Sequence, residues 1–116
     1  MIRVYTYKNC DTCRKAVKWL RERGMEFEEV AIRETPPSRT ELKRMLGYYD
    51  GDVKRLFNTS SKDYREGGYK DRLGEMTEGE VFGELGVNGN LVKRPFLLGE
   101  GFGLVGFKEA EWADRL

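Results

Sequence analysis

Cys10 and Cys13 are the only cysteines of the chain, two residues apart in "YKNCDTCRK", and the chain has no histidine. A pair at this spacing forms a redox-active disulfide, supplies half of a zinc site, or serves as inert core. Without a histidine or a second cysteine pair, a zinc site of four nitrogen or sulfur ligands cannot be completed within one chain. The inert reading stays open, because cysteine is commonly a plain buried residue. Redox chemistry depends on where the pair sits. If Cys10 lies where a strand passes into a helix and Cys13 in the first helical turn, the unpaired backbone N–H groups and the positive end of the helix favour a thiolate at Cys10. Arg14 and Lys15 add positive charge nearby, and Asp11 opposes them. Asn9 and Arg14 are the flanking residues assigned supporting roles. Cys13 shares a helical face with Ala16 and Val17, whereas Cys10 stands at the mouth, so Cys10 is assigned as the attacking thiol and Cys13 as the resolving one.

The elements that must position this pair are readable from periodicity. Ile2 and Val4 alternate with Arg3 and Tyr5, and aromatic and β-branched residues run through Tyr7, the pattern of a strand. From Asp11 the period changes to that of a helix, with Cys13, Ala16, Val17 and Leu20 on one face and Gly24 as the stop. Residues 25–32, "MEFEEVAI", read as a second strand. A strand, helix and strand this close together imply a right-handed crossover between parallel strands. Ser38 with Glu41 and Thr77 with Glu80 are capping-box patterns opening two further helices. Val53, Leu56 and Phe57 suggest a short helix, and the polar run 58–74 a loop with some helical turn. Residues 90–107 read as two strands around a tight turn at Gly99–Gly101, and 108–115 as a closing helix. The expectation is one α/β domain over residues 1–116, a four-stranded mixed sheet with a helical insertion at about 36–88.

Composition removes several function classes. The 116 residues include 35% charged side chains that nearly cancel, leaving a formal net charge of +1, so there is no general drive toward nucleic acid or anionic membrane. No stretch approaches the roughly 18 consecutive apolar residues of a membrane span, and the first residues enter a strand rather than a secretory signal. A cytoplasmic, monomeric protein is expected. In a reducing compartment a close cysteine pair points to catalysis, sensing or metal binding rather than to a permanent staple. The G-x-G in "GEGFGLVG" falls in a hairpin, not between strand and helix, which argues against a nucleotide site. Trp19, Tyr48, Tyr49 and Trp112 read as core or rim aromatics, with the Tyr48/Tyr49 pair a secondary candidate for a partner surface.

Strand, "CDTCRKAVKWL", "ETPPSRTELKRML", "LFNTSSKDYRE" and "KRPFLL", in this order, resemble the arsenate reductase-like (ArsC/Spx) family, with its thioredoxin-like fold and helical insert. The resemblance implies a nucleophile at Cys10 and a cis peptide between Arg94 and Pro95, with Arg94 beside the thiolate as partner to an oxyanion or sulfur anion, a role its planar charged donors suit. Arsenate-reducing members carry a histidine where this chain has Thr6, and two further arginines where it has Asn58 and Gly106. Losing two such charge-assisted contacts, each worth roughly 1.5–3 kcal/mol, argues against efficient arsenate reduction. The second cysteine resembles the redox pair of the Spx branch, whose members bind RNA polymerase, and Gly51 in "YYDGDV" matches that branch's polymerase-binding glycine. A "DG" turn between helices accounts for a glycine there equally well. The favoured expectation is a thiol–disulfide oxidoreductase using Cys10 and Cys13. It carries no bound cofactor, meets a disulfide substrate or thiol reductant, and is re-reduced by glutathione or glutaredoxin. A Spx-like redox regulator binding RNA polymerase is the alternative, and glutaredoxin-linked arsenate reduction the third reading.

Overall fold

The computed structural model describes residues 2–116; Met1, the first residue of the expected domain, lies outside them. Strand β1 (Ile2–Thr6) leads into helix α1 (Asp11–Glu22) and strand β2 (Phe27–Ala31). Helices α2 (Arg39–Tyr48), α3 (Lys62–Glu66), α4 (Tyr69–Arg72) and α5 (Glu78–Leu85) follow, with a 3-10 turn at Val53–Leu56. The chain returns through β3 (Phe96–Gly99) and β4 (Phe102–Val105) to α6 (Glu109–Arg115). The sheet order is β2-β1-β3-β4. β1 and β2 are parallel, and β3 is antiparallel to both β1 and β4, which makes the four-stranded mixed sheet the sequence implied. No helix among the described residues is long and apolar enough to cross a membrane.

Strand alternation distributes the core over two faces of this sheet. Val4, Leu97 and Leu104 stand opposite one another in register and pack with Ala16 and Leu20 of α1 and Trp112 of α6. Tyr5, Phe96 and Val105 form the next register row and face the inserted helices, packing with Leu42, Met45, Leu56, Phe82 and Leu85. The sequence pattern groups Tyr5 with Arg3 in one alternating row of the strand. Tyr5 is 3% exposed, because β1 is a central strand covered on both sides, where alternation separates two cores rather than core from solvent.

The run expected to be mostly loop is the other difference. Ser61 caps α3 by accepting the Tyr64 N–H, which turns Tyr64 inward, and Phe57, Tyr64 and Tyr69 form a buried aromatic cluster with centroids 5.3–5.9 Å apart. Three aromatics among many polar residues hold this segment onto the core. Both capping boxes are present as read, at Ser38/Glu41 and Thr77/Glu80.

Candidate functional site

The β1–β3 register determines what meets at the end of β1. Arg3 pairs with Leu98, Val4 with Leu97 and Tyr5 with Phe96, so continuing the row brings Tyr7 level with Arg94. The Arg94 guanidinium carbon stands 5.0 Å from the centre of the Tyr7 ring. The Arg94–Pro95 peptide is cis, as the resemblance implied. Just beyond Tyr7 the chain turns, with the Cys10 N–H donating to the Tyr7 carbonyl at 3.0 Å, and α1 begins.

Cys10 is the N-cap of α1. Its backbone is extended, and its sulfur accepts the Cys13 N–H at 3.4 Å, in the place a serine or aspartate oxygen usually fills. Partial burial pushes its thiol up, but hydrogen bonds from the Cys13 thiol and the Cys13 N–H and the hydrogen bond and charge of Arg94 outweigh that, so its pKa is lowered. Nη1 of Arg94 is sealed from solvent with no hydrogen-bond partner, which leaves the guanidinium a donor to give to negative charge. Cys13 is only 1% exposed. Burial, with its hydrogen bond to Cys10, pushes its pKa up to about 12. The two thiols are thus held in opposite states, one inclined to ionise and the other kept protonated.

The flanking residues divide. Arg14 turns outward to the Lys8 carbonyl at 2.9 Å and the Asp11 carboxylate, so the Arg14 and Asp11 charges meet each other rather than the thiol. Asn9 hydrogen-bonds not to sulfur but to the Tyr7 hydroxyl, at 3.2 Å. The Tyr7 ring contacts two guanidiniums, Arg33 at 4.8 Å as well as Arg94, and its hydroxyl accepts from Arg33 at 2.8 Å. Thr6 donates to Glu29 at 2.6 Å and does not line the cavity that Cys10 opens into. Gly51 lies far along the chain, after α2, with φ +80° and open space where a Cβ would be; the turn itself requires glycine there.

Cys10 and Arg94 line a cavity of about 470 Å³ together with Thr12, Asn58, Ser60 and Gly106. Three more cations reach it: Arg55, Lys93 and Lys108. These and Tyr7 are the residues that sequence reading missed. Lys93 precedes β3, its N–H donating to the Leu56 carbonyl, and Lys108 follows β4; both line this cavity. Arg55 arrives from the insertion, its guanidinium 4.4 Å from the Tyr49 ring centre. Tyr49 is in turn fixed, since its hydroxyl accepts the Val105 N–H and bonds Glu111, so this tyrosine seats a pocket cation. Tyr48 remains on the surface.

Residues 5–115 match the ArsC family. The chain is 44% identical over 111 residues to the uncharacterised protein YusI of Bacillus subtilis, covering 96% of this chain and 94% of that one. It is 28% identical over 111 residues to the global transcriptional regulator Spx of Streptococcus mutans, covering 96% and 80%. A crystal structure of an ArsC family related protein from Bacteroides fragilis superposes with a TM-score of 0.91 at 41% identity, covering 97% and 95%. The sheet and its inserted helices therefore have the thioredoxin-like architecture of the ArsC-like proteins.

Proposed function

We propose that this chain, which belongs to the ArsC family, works as a thiol–disulfide oxidoreductase in which Cys10 attacks and Cys13 resolves. The supporting observation is the asymmetry of the pair, with Cys10 lowered by Cys13 and Arg94 and Cys13 held protonated in the core. In the first step the Cys10 thiolate attacks one sulfur of a substrate disulfide. A Cys10–substrate bond forms, the substrate S–S bond breaks, and half of the substrate leaves as a thiolate. In the second step Cys13 gives up its proton and attacks the Cys10 sulfur, forming Cys10–Cys13 and releasing the other half. The substrate gains two electrons and the cysteine pair loses them; an external thiol, of the glutathione or glutaredoxin class, returns them.

The order of the steps follows from the charges. Burial, joined by the hydrogen bond and charge of the Cys10 thiolate, holds Cys13 protonated. Once Cys10 is tied up in a mixed disulfide, that anion is gone. The backbone hydrogen bond from Tyr7 and the charge of Arg94, both of which favour a Cys13 thiolate, remain. Attack on the substrate therefore removes the part of the Cys13 shift that Cys10 imposes, leaving burial as the opposing effect. The test is to mix reduced protein with hydroxyethyl disulfide and follow the products by mass spectrometry. Wild type is expected to end as the intramolecular disulfide, and Cys13→Ser to stop at a mixed disulfide on Cys10. No adduct at either cysteine would overturn the reading.

The likeness to Spx supports a second reading, a redox-dependent regulator that binds RNA polymerase through the surface around Gly51. Retention of RNA polymerase from a bacterial lysate by the immobilised protein, changing on oxidation of the cysteine pair and lost in Gly51→Arg, would favour it.

A further inference from the structure

We infer that the reduced Cys10–Cys13 pair is also a binding site for a soft monovalent ion, copper(I), held linearly between the two sulfurs with Arg94 as its counter-charge. The reduced pair already holds one such cation, a proton. The Cys13 thiol is hydrogen-bonded to the Cys10 sulfur, so a single proton bridges two sulfurs. Each sulfur also accepts a backbone N–H, Cys10 from Cys13 at 3.4 Å and Cys13 from Tyr7, which supports negative charge on both. Replacing the bridging proton by copper(I) forms two S–Cu bonds, breaks the Cys13 S–H bond and releases one proton. Nothing is oxidised, and the thiolate–thiol pair keeps the single negative charge it had before.

The surroundings choose among metals. Zinc and other ions that require four ligands find two here. The chain has no histidine, no carboxylate or methionine lines the Cys10 cavity, and among the described residues no group of three or more ligating side chains could hold a metal. Thiolates are soft ligands that suit copper(I), and two of them satisfy it. Charge sharpens the choice. The Arg94 guanidinium hydrogen-bonds the Cys10 sulfur, and its Nη1 is sealed from solvent with no hydrogen-bond partner. A monovalent ion between two thiolates leaves a net charge of −1 for this arginine to meet. A divalent ion would leave the pair neutral, with Arg94 uncompensated beside Arg55, Lys93 and Lys108 of the same cavity.

Burial sets the access. Cys13 is 1% exposed and Cys10 opens into the cavity, so the ion enters past Cys10 and is held against the inner sulfur, away from water. Ion and disulfide exclude each other, because a Cys10 sulfur bound to copper is not free to attack. The site needs two thiols and an arginine and no disulfide substrate, so it stands or falls independently of the oxidoreductase reading.

The test titrates the reduced protein, without oxygen, with copper(I) held by the coloured chelator bicinchoninate. The protein should withdraw one ion per chain, and X-ray absorption should show two sulfur neighbours and no nitrogen or oxygen. At pH 9, above the lowered pKa of Cys10 and below the value of about 12 for Cys13, about one proton should be released per ion. Cys10→Ser, which keeps an oxygen to cap α1, should stay folded and lose the ion. Arg94→Ala should weaken binding about ten- to a hundredfold, and Arg94→Lys, which keeps the charge, should recover part of the loss. Copper retained by Cys10→Ser, a third ligand, an ion shared between two chains on sedimentation, or an Arg94→Ala affinity equal to wild type would overturn the site as drawn. Reduction of hydroxyethyl disulfide is measured in parallel with free and loaded protein, and loading should abolish it. Reduction by the free protein without copper binding removes the metal site and leaves the oxidoreductase; copper binding without reduction does the reverse; neither removes both.

Discussion

The centre of the Tyr7 ring is 5.0 Å from the guanidinium carbon of Arg94 and 4.8 Å from that of Arg33. Arg94 hydrogen-bonds Cys10, and Asn9 and Arg33 donate to the Tyr7 hydroxyl. Through this ring contact Tyr7 positions the arginine that acts on the Cys10 sulfur. Such a contact is worth about 0.5–2 kcal/mol depending on desolvation. Tyr7→Leu should therefore shift the pH profile of Cys10 alkylation upward while the domain stays folded, and Tyr7→Phe, which keeps the ring, should restore most of the wild-type profile. A Tyr7→Leu profile superimposed on wild type would show that Arg94 is held by other means.

The two thiols should differ sharply in reactivity. Cys10 is lowered by Cys13 and Arg94 against the opposing effect of burial, and Cys13 is raised to about 12. At pH 7 iodoacetamide should label Cys10 faster than an unperturbed thiol and leave Cys13 untouched, because rate follows thiolate fraction and access. Arg94→Ala should slow Cys10 labelling at pH 7 and move its profile to higher pH. Peptide mass spectrometry over a pH series reads both, and equal labelling of the two cysteines would make the pair structural.

Local pattern made the thiols legible, and long-range pairing hid their surroundings. The change of period at Asp11 and the cap at Cys10 are neighbours in sequence, so the strand–cysteine–helix geometry could be read directly. Tyr7 looked like the last residue of a strand, and its place beside Arg94 depends on a register between segments nearly ninety positions apart. Lys93 stood next to an arginine already singled out, yet only the folded chain shows that it shares a cavity with Lys108. Arg55 had no local signal, since a short 3-10 turn in the insertion says nothing about where its side chain points. Tyr64 and Tyr69 were obscured by their polar neighbours, whose side chains face water while the rings pack on Phe57. Arg14 misled in the opposite direction: proximity in sequence suggested a partner for the thiol, and the helix surface gave it Asp11.

Arsenate should be a poor substrate. The positions matching the two further arginines of arsenate-reducing relatives, Asn58 and Gly106, both line the Cys10 cavity as neutral groups, and Thr6 is hydrogen-bonded to Glu29 away from it. A compact oxyanion at Cys10 would meet Arg94 but neither of the two further guanidiniums that stabilise its charge in arsenate-reducing relatives. With arsenate, glutathione and glutaredoxin, turnover is expected well below about 1 per second, the lower end of ordinary enzyme rates. Asn58→Arg should raise it. Wild-type turnover above that rate would overturn the expectation.

Alkaline stability should report on Tyr5, the central tyrosine of β1. Its hydroxyl donates to Glu41 at 2.6 Å, and burial, aided by that hydrogen bond and the glutamate charge, pushes its pKa up to about 12. An unfolded tyrosine ionises near 10. Between those two values the unfolded chain has released a proton that the folded chain still holds, so stability falls as pH rises through this window. Two units correspond to a loss on the order of 2 kcal/mol. Tyr5→Phe removes the hydrogen bond and should be less stable than wild type at pH 7 by about 1 kcal/mol. Having no proton to lose at that position, it should also fall less steeply above pH 10, so the gap between the two proteins narrows and then reverses as pH approaches 12. Urea midpoints measured at intervals from pH 7 to 11.5 distinguish this from a purely structural role, for which the two curves would run parallel.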